Sequence, residues 1–204
     1  MNNLLIQIGL YKTAEFQYVA FPNWGNVMPT KAIDHQLPQE LVTEEPYHYL
    51  GLDVDIRSID HLENLKPDND RIKYQHLGVS STCSKTKSYY ISELFGEADG
   101  PFVDLNTLLE QHRHKKLKAV IIDIEGGEMD IFQTYSFEIQ PDFFGIEAHS
   151  LLAVNFLCKL LLDNNYSLIT YIPTNWDYGT RWLGFLKTEL IHESAAGYCF
   201  PYLV

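Results

Sequence analysis

Two short stretches hold the residue types best suited to chemistry. The first, IIDIEGGEMD, ends an apolar run at Ile122 and then sets Asp123, Glu125 and Glu128 around the pair Gly126–Gly127. The second, GIEAHS, places Glu147 and His149 two residues apart. Carboxylates and an imidazole brought to one place can take a proton from a hydroxyl or hold a divalent metal. In an extended chain Asp123 and Glu125 project to the same side. Gly126 and Gly127 permit a sharp turn into a following helix. Glu128 then falls in that helix's first turn, where the dipole favours a carboxylate, so it reads as structural. A buried strand explains the apolar run from Ala119 to Ile122 but not the acidic turn behind it.

Two further strand ends carry candidate binding residues. LLIQIG ends in Gly9, where the missing Cβ lets the backbone approach a ligand. YHYLGLDVD ends in Asp53 and Asp55, and a carboxylate there can accept hydrogen bonds from the two hydroxyls of a ribose, as in dinucleotide-binding folds. The competing reading for either aspartate is a carboxylate at the N-terminus of the helix that follows.

The elements that must position these residues follow from periodicity. Leu4–Gly9, Tyr47–Asp53, Arg71–Val79, Ala119–Ile124 and Phe143–His149 read as strands, and SKTKSYYISEL as an extended segment or hairpin. SIDHLENLK reads as a helix capped by Ser58, VDLNTLLEQHRHKK as one capped by Asp104 or Asn106 with basic residues in its last turn, and GEMDIFQTY as a third. Ser150 caps LLAVNFLCKLLLDNN, which Asn164 or Asn165 stops. YSLITYI and GYCFPYLV read as two late strands. Leu10–Pro46 is proline-spaced and loop-rich, an insertion or lid on a single domain spanning 1–204. Strands alternating with helices predict an α/β fold with a mostly parallel sheet and ligands beyond the strands' carboxyl ends.

Composition narrows the classes. The 204 residues are 46% hydrophobic, enough for one full core. A formal net charge of −12 argues against nucleic acid and anionic membrane surfaces as partners, and suits a cationic ligand. Three cysteines with no CxxC pair fit free thiols in a reducing compartment, and the N-terminus lacks a basic n-region, so the expected location is cytoplasmic.

The segments VDLNTLL, LKAVIIDIEGGEMDIFQ and FFGIEAHS together resemble the core of the FkbM-type methyltransferase family, with DIEGGE the most specific part. LGLDVDIRSIDHLENL, IKYQHLGVSSTCSKTKSYYIS and DNNYSLITY extend the resemblance over about Tyr47 to Tyr171. It implies a Rossmann-like class I methyltransferase sheet with helices on both faces, S-adenosylmethionine as cofactor, and methyl transfer to a small-molecule or glycan hydroxyl. It further implies Asp53 or Asp55 at the ribose, Leu77 and Gly78 flanking the adenine, Gly9 in the first turn, and Asp123 with Glu125 or His149 handling the acceptor. The family's first strand ends in an acid and a glycine-rich turn. Here QIGLYKT has Gln7 at the acid, keeps Gly9, and has Tyr11 and Thr13 at the later positions. That departure supports a second reading, a binding or scaffold protein that keeps the fold without the cofactor site. A third, a metal-dependent hydrolase using Asp123, Glu125 and His149, lacks an HExxH or comparable spacing.

Overall fold

A computed structural model describes residues 2–10, 14–21, 37–41, 43, 45–92, 96–173 and 180–191. In chain order the elements are β1 (Asn3–Ile8), β2 (His48–Asp53), α1 (Ile56–Leu65), β3 (Ile72–His76), β4 (Gly78–Val79), β5 (Ser84–Ser92), β6 (Gly96–Val103) and α2 (Leu105–Gln111). They continue as β7 (Lys116–Ile122), α3 (Glu128–Phe132), β8 (Phe143–Ala148), α4 (Leu151–Asp163), β9 (Tyr166–Pro173) and β10 (Arg181–Lys187). Seven strands form the main sheet in the order β3-β2-β1-β7-β8-β10-β9. β1, β2, β3, β7 and β8 run parallel, and β10 runs antiparallel to both β8 and β9. This is the expected Rossmann-like, mostly parallel α/β sheet.

Apolar layers on both faces explain the near-continuous hydrophobic strands. On one face α2, α3 and α4 bury Leu108, Ile131 and Leu157 against Ile6, Val120 and Ile146. On the other, α1 and the 3-10 turn Glu15–Ala20 bury Ile59, Leu62, Phe16 and Val19 against Leu5, Tyr49 and Ile121. Leu10, Leu37 and Leu41, from the segment read as an insertion, belong to this second core. At the amino-terminal side of the sheet Lys118 donates to Asp142 over 2.5 Å, and Lys187 Nζ lies 3.7 Å from the same carboxylate.

The sheet order reverses at β1, with β2 and β3 to one side and β7 and β8 to the other. The backbone holds this crossover tightly. Gly9 N–H donates to Leu52 O and Asp123 N–H donates to Ile8 O, both at 2.9 Å. The crevice beyond the carboxyl ends at such a reversal is where open α/β sheets bind ligands.

Several local expectations change. The cap of α1 is Asp55, whose carboxylate accepts the Arg57 N–H at 2.9 Å, and Ser58 lies buried inside the helix. The predicted strand Arg71–Val79 breaks at Leu77, because β4 leaves the main sheet to pair with β6 in a three-stranded sheet. α2 is capped by Asp104 and stops at Gln111, before the basic residues, which lead instead into β7. RWLGFLK forms the unexpected β10, while GYCFPYLV lies outside the described residues.

Candidate active site

The acidic turn does not stay extended. β7 ends at Ile122, Glu125 adopts φ +53° and Gly126 φ +100°, so only Gly126 of the glycine pair needs a left-handed backbone. This turn carries Asp123 and Glu125 to the same histidine. His149 Nε2 lies 3.5 Å from Glu125 Oε2 and 3.8 Å from Asp123 Oδ1. His149 is positioned by the end of β8 and by Ser150, which accepts the Ala153 N–H to start α4. The three residues expected at the acceptor therefore meet.

Glu128, read from sequence as a dipole partner, is also the closest partner of this histidine. His149 Nδ1–H donates to Glu128 Oε1 over 2.6 Å, and the same oxygen accepts the Gly126 N–H at 2.8 Å. Glu128 is 1% exposed, whereas the Asp123 and Glu125 side chains are 37% and 49% exposed. Nothing local announces this contact, since it forms only once the turn folds back on β8. Asp123, Glu147 and His149 each bring one ligand-type atom within 4.8 Å of the others.

Burial alone pushes the His149 pKa down. The hydrogen bond and charge of Glu128, then the charges of Asp123 and Glu125, outweigh it and hold the pKa at about 9. The ring is therefore a cation at neutral pH. Because the folded value exceeds the unfolded one, the stability this group contributes is fully present below pH ~6.5 and is lost as pH rises through about 9. Urea midpoints should thus fall between pH 7 and pH 10, and the fall should shrink in His149→Asn, whose amide can still donate to Glu128.

The binding residues expected on the other half of the sheet are engaged in closing loops. Asp53 is buried, and its two oxygens accept the N–H groups of Leu10 (3.0 Å) and Asp55 (2.7 Å). Asp55 caps α1 and takes a bidentate contact from Arg57, with Nε at 2.8 Å and Nη2 at 2.9 Å. Leu77 is a core residue whose N–H donates to Asp53 O. An added Cβ at Gly78 would meet the Phe102 ring at 2.4 Å. At Gly9 the Cβ position lies 1.6 Å from the Asp123 carbonyl oxygen, so the bare backbone there accommodates β7. Gln7 is buried and accepts the Tyr49 hydroxyl at 2.7 Å. Tyr11 and Thr13 lie outside the described residues.

No protein-family model matches the chain, and no curated protein matches it significantly. Among solved structures the chain is similar to M. capricolum TrmK, solved in complex with the natural cofactor product S-adenosyl-homocysteine, at 10% identity and a TM-score of 0.47. That similarity covers 91% of this chain and 62% of the other, so the chain spans less than two thirds of it. It is also similar to precorrin-6y C5,15-methyltransferase from Geobacter metallireducens GS-15, at 10% identity and a TM-score of 0.43, over 91% of this chain and 80% of that one. These likenesses concern overall architecture. The expected partner is corrected: a glycan acceptor and the exclusion of nucleic acid are both unsupported. The exclusion rested on a whole-chain charge of −12, which does not fix the potential of one face. Among the described residues no helix is long and apolar enough to cross a membrane.

Proposed function

We propose that the chain is an S-adenosylmethionine-dependent methyltransferase of the FkbM type, acting on an oxygen nucleophile. The observation that carries this reading is the cluster of Asp123, Glu125, Glu128 and His149 at the carboxyl edge of the sheet, beside the point where strand order reverses. The residues fit the cofactor in charge. Asp123 and Glu125 are partly exposed carboxylates suited to a sulfonium, and Asp53 stands at the end of β2, where a ribose would lie. When bound, the cofactor supplies a methyl group on positively charged sulfur. Asp123 and Glu125 attract that charge, and His149 faces the acceptor through Nε2. Alignment of oxygen, methyl and sulfur supplies much of the acceleration.

A specific observation favours a second reading, a fold-retaining scaffold: both Asp53 oxygens already accept backbone N–H groups. Titration calorimetry with S-adenosylhomocysteine separates the two. Saturable binding, with a dissociation constant between about 1 μM and 1 mM, is expected of the enzyme. Heats no larger than dilution would favour the scaffold.

A further inference from the structure

We propose that the amino edge of the main sheet, opposite the crevice, is a docking strip for the phosphate backbone of a single nucleic-acid strand. The strip is built from Arg71 and Lys73 at the start of β3, His48 of β2, and the basic turn 112–116 that leads into β7. It does not depend on the methyl-transfer reading.

The turn reads HRHKK, an unbroken run of basic residue types. In the last turn of a helix such residues complement the dipole. α2 ends at Gln111 instead, and the run is left at the amino edge of the sheet. Short runs of this composition are a usual footprint of polyanion binding. Backbone pairing lines up further cations beside it. Lys116 pairs with Asn3 of β1, and its N–H donates to Asn2 O at 3.0 Å. Leu4 of β1 pairs with His48, and Asn2 Nδ2 lies 2.9 Å from His48 Nε2. Tyr49 of β2 pairs with Ile72, which sets Arg71 and Lys73 on the next strand. The row thus runs across β3, β2, β1 and β7, which are consecutive in the sheet. Strands stand about 4.8 Å apart, so its length is about 15 Å.

The cations crowd one another. Burial, then the Lys73 charge, lowers the pKa of Lys115. Burial, then the Lys115 charge, does the same to His48 and His112, with Lys73 adding to both. Carboxylates do not neutralise the row. Among the described residues neither Lys73 nor Lys115 has an ion-pair partner. Asp70 is the acidic group that acts on His48, Glu110 is taken by Arg113 at 3.2 Å, and Asp142 by Lys118 and Lys187. Lys73, Arg113, His114 and Lys116 are exposed. A chain of net charge −12 therefore keeps one edge positive.

The shape of the strip selects its partner. An anionic membrane is a plane, and it would meet the acidic remainder of the chain along with the strip. A single strand follows the strip alone. Over about 15 Å such a strand offers roughly three or four phosphates, a match for Arg71, Lys73, Lys115 and Lys116. His48, His112 and His114 add flat rings of the kind on which unstacked bases lie, the last two with centroids 6.4 Å apart.

The test is fluorescence anisotropy of a labelled single-stranded RNA of about 12 nucleotides with the full chain. Saturable binding with a dissociation constant of about 1–100 μM is expected at about 50 mM salt. Affinity should fall roughly 20–50-fold by about 200 mM, since each of three or four phosphates contributes about −0.7 to the logarithmic salt slope. Lys73→Glu and Lys115→Glu should each weaken binding roughly 5–20-fold and flatten the salt dependence. Lys159→Glu makes the same change in net charge from the exposed side of α4, which packs on β8, β9 and β10, and should weaken binding less than about 2-fold. Melting curves check that the variants fold, and the salt slope of the unsubstituted chain tests the strip without them. Absence of saturable binding at low salt, or equal weakening by all three substitutions, would overturn the proposal. Phosphatidylserine vesicles form the other arm: capture by vesicles that depends on Lys73 and Lys115, with RNA left unbound, would put a membrane on this edge and overturn the nucleic-acid reading.

Discussion

Gly9→Ala should be among the most destabilising single-methyl additions in this chain, costing more than about 3 kcal/mol and lowering the melting temperature by roughly 6–12 °C. Two penalties combine. Gly9 has φ +85°, a conformation that costs an L-residue about 1–3 kcal/mol. Its new methyl would also stand 1.6 Å from the Asp123 carbonyl oxygen and 2.7 Å from the carbonyl carbon, both backbone atoms that no rotamer change can move. Relief requires β1 and β7 to part at the crossover, against the bonds from Gly9 to Leu52 and from Asp123 to Ile8. Gly126→Ala is the control. Its φ is +100°, but nothing lies within 4 Å of the added Cβ, so only the conformational penalty applies. If the two variants melt together, the strand ends are not packed as described. The Gly9 variant should also lose activity, since Asp123 is the residue displaced.

On the proposed methyl-transfer reading, His149→Asn should reduce methyl transfer by roughly 10²–10⁴-fold, the usual range for removing a positioned proton acceptor. The asparagine amide can occupy the place of Nδ1 and still donate to Glu128, so stability near neutral pH should change far less than activity. His149→Leu leaves Glu128 buried without that donor and should cost about 3–5 kcal/mol as well. Melting curves beside single-turnover rates separate the two effects. A His149→Asn variant that keeps full activity would remove His149 from the proton path and leave Asp123 and Glu125 to carry it.

Much of the frame was legible because its strands are buried on both faces. Leu4–Ile8, apolar except for the buried Gln7, and Ala119–Ile122 read as near-continuous apolar runs for that reason. Ser150 and Asp104 announced their helices because each satisfies an end N–H within its own segment. β10 is hard to see in the sequence although Trp182, Leu183, Phe185 and Leu186 are all fully buried, since Gly184 in its middle weakens a strand pattern. That glycine sits where an added Cβ would touch the Thr170 side chain at 3.0 Å, a constraint from a neighbouring strand invisible in sequence. The site shows the same boundary. Asp123, Glu125 and His149 stand out in the sequence by type and strand-end position. The Glu128–His149 contact was missed because it depends on the positive φ angles of Glu125 and Gly126. Asp53 and Asp55 kept the predicted strand-end location, but their oxygens serve Leu10, Arg57 and Asp55's own backbone.

The central place of β1 has a consequence for how the chain is made. Its inner partner β7 pairs Leu4 with Leu117, more than a hundred residues later. At about 5–20 residues per second, a ribosome needs roughly 6–20 s to deliver that partner after β1 has been synthesised. Throughout that interval Leu4, Leu5, Ile6 and Ile8, all at most 2% exposed in the finished fold, have an open strand edge. Assembly of the sheet's middle is thus delayed until the segment that also delivers the acidic turn. Premature termination before β7 should yield an aggregation-prone fragment that depends on chaperones, while the crossover and its chemistry arrive together.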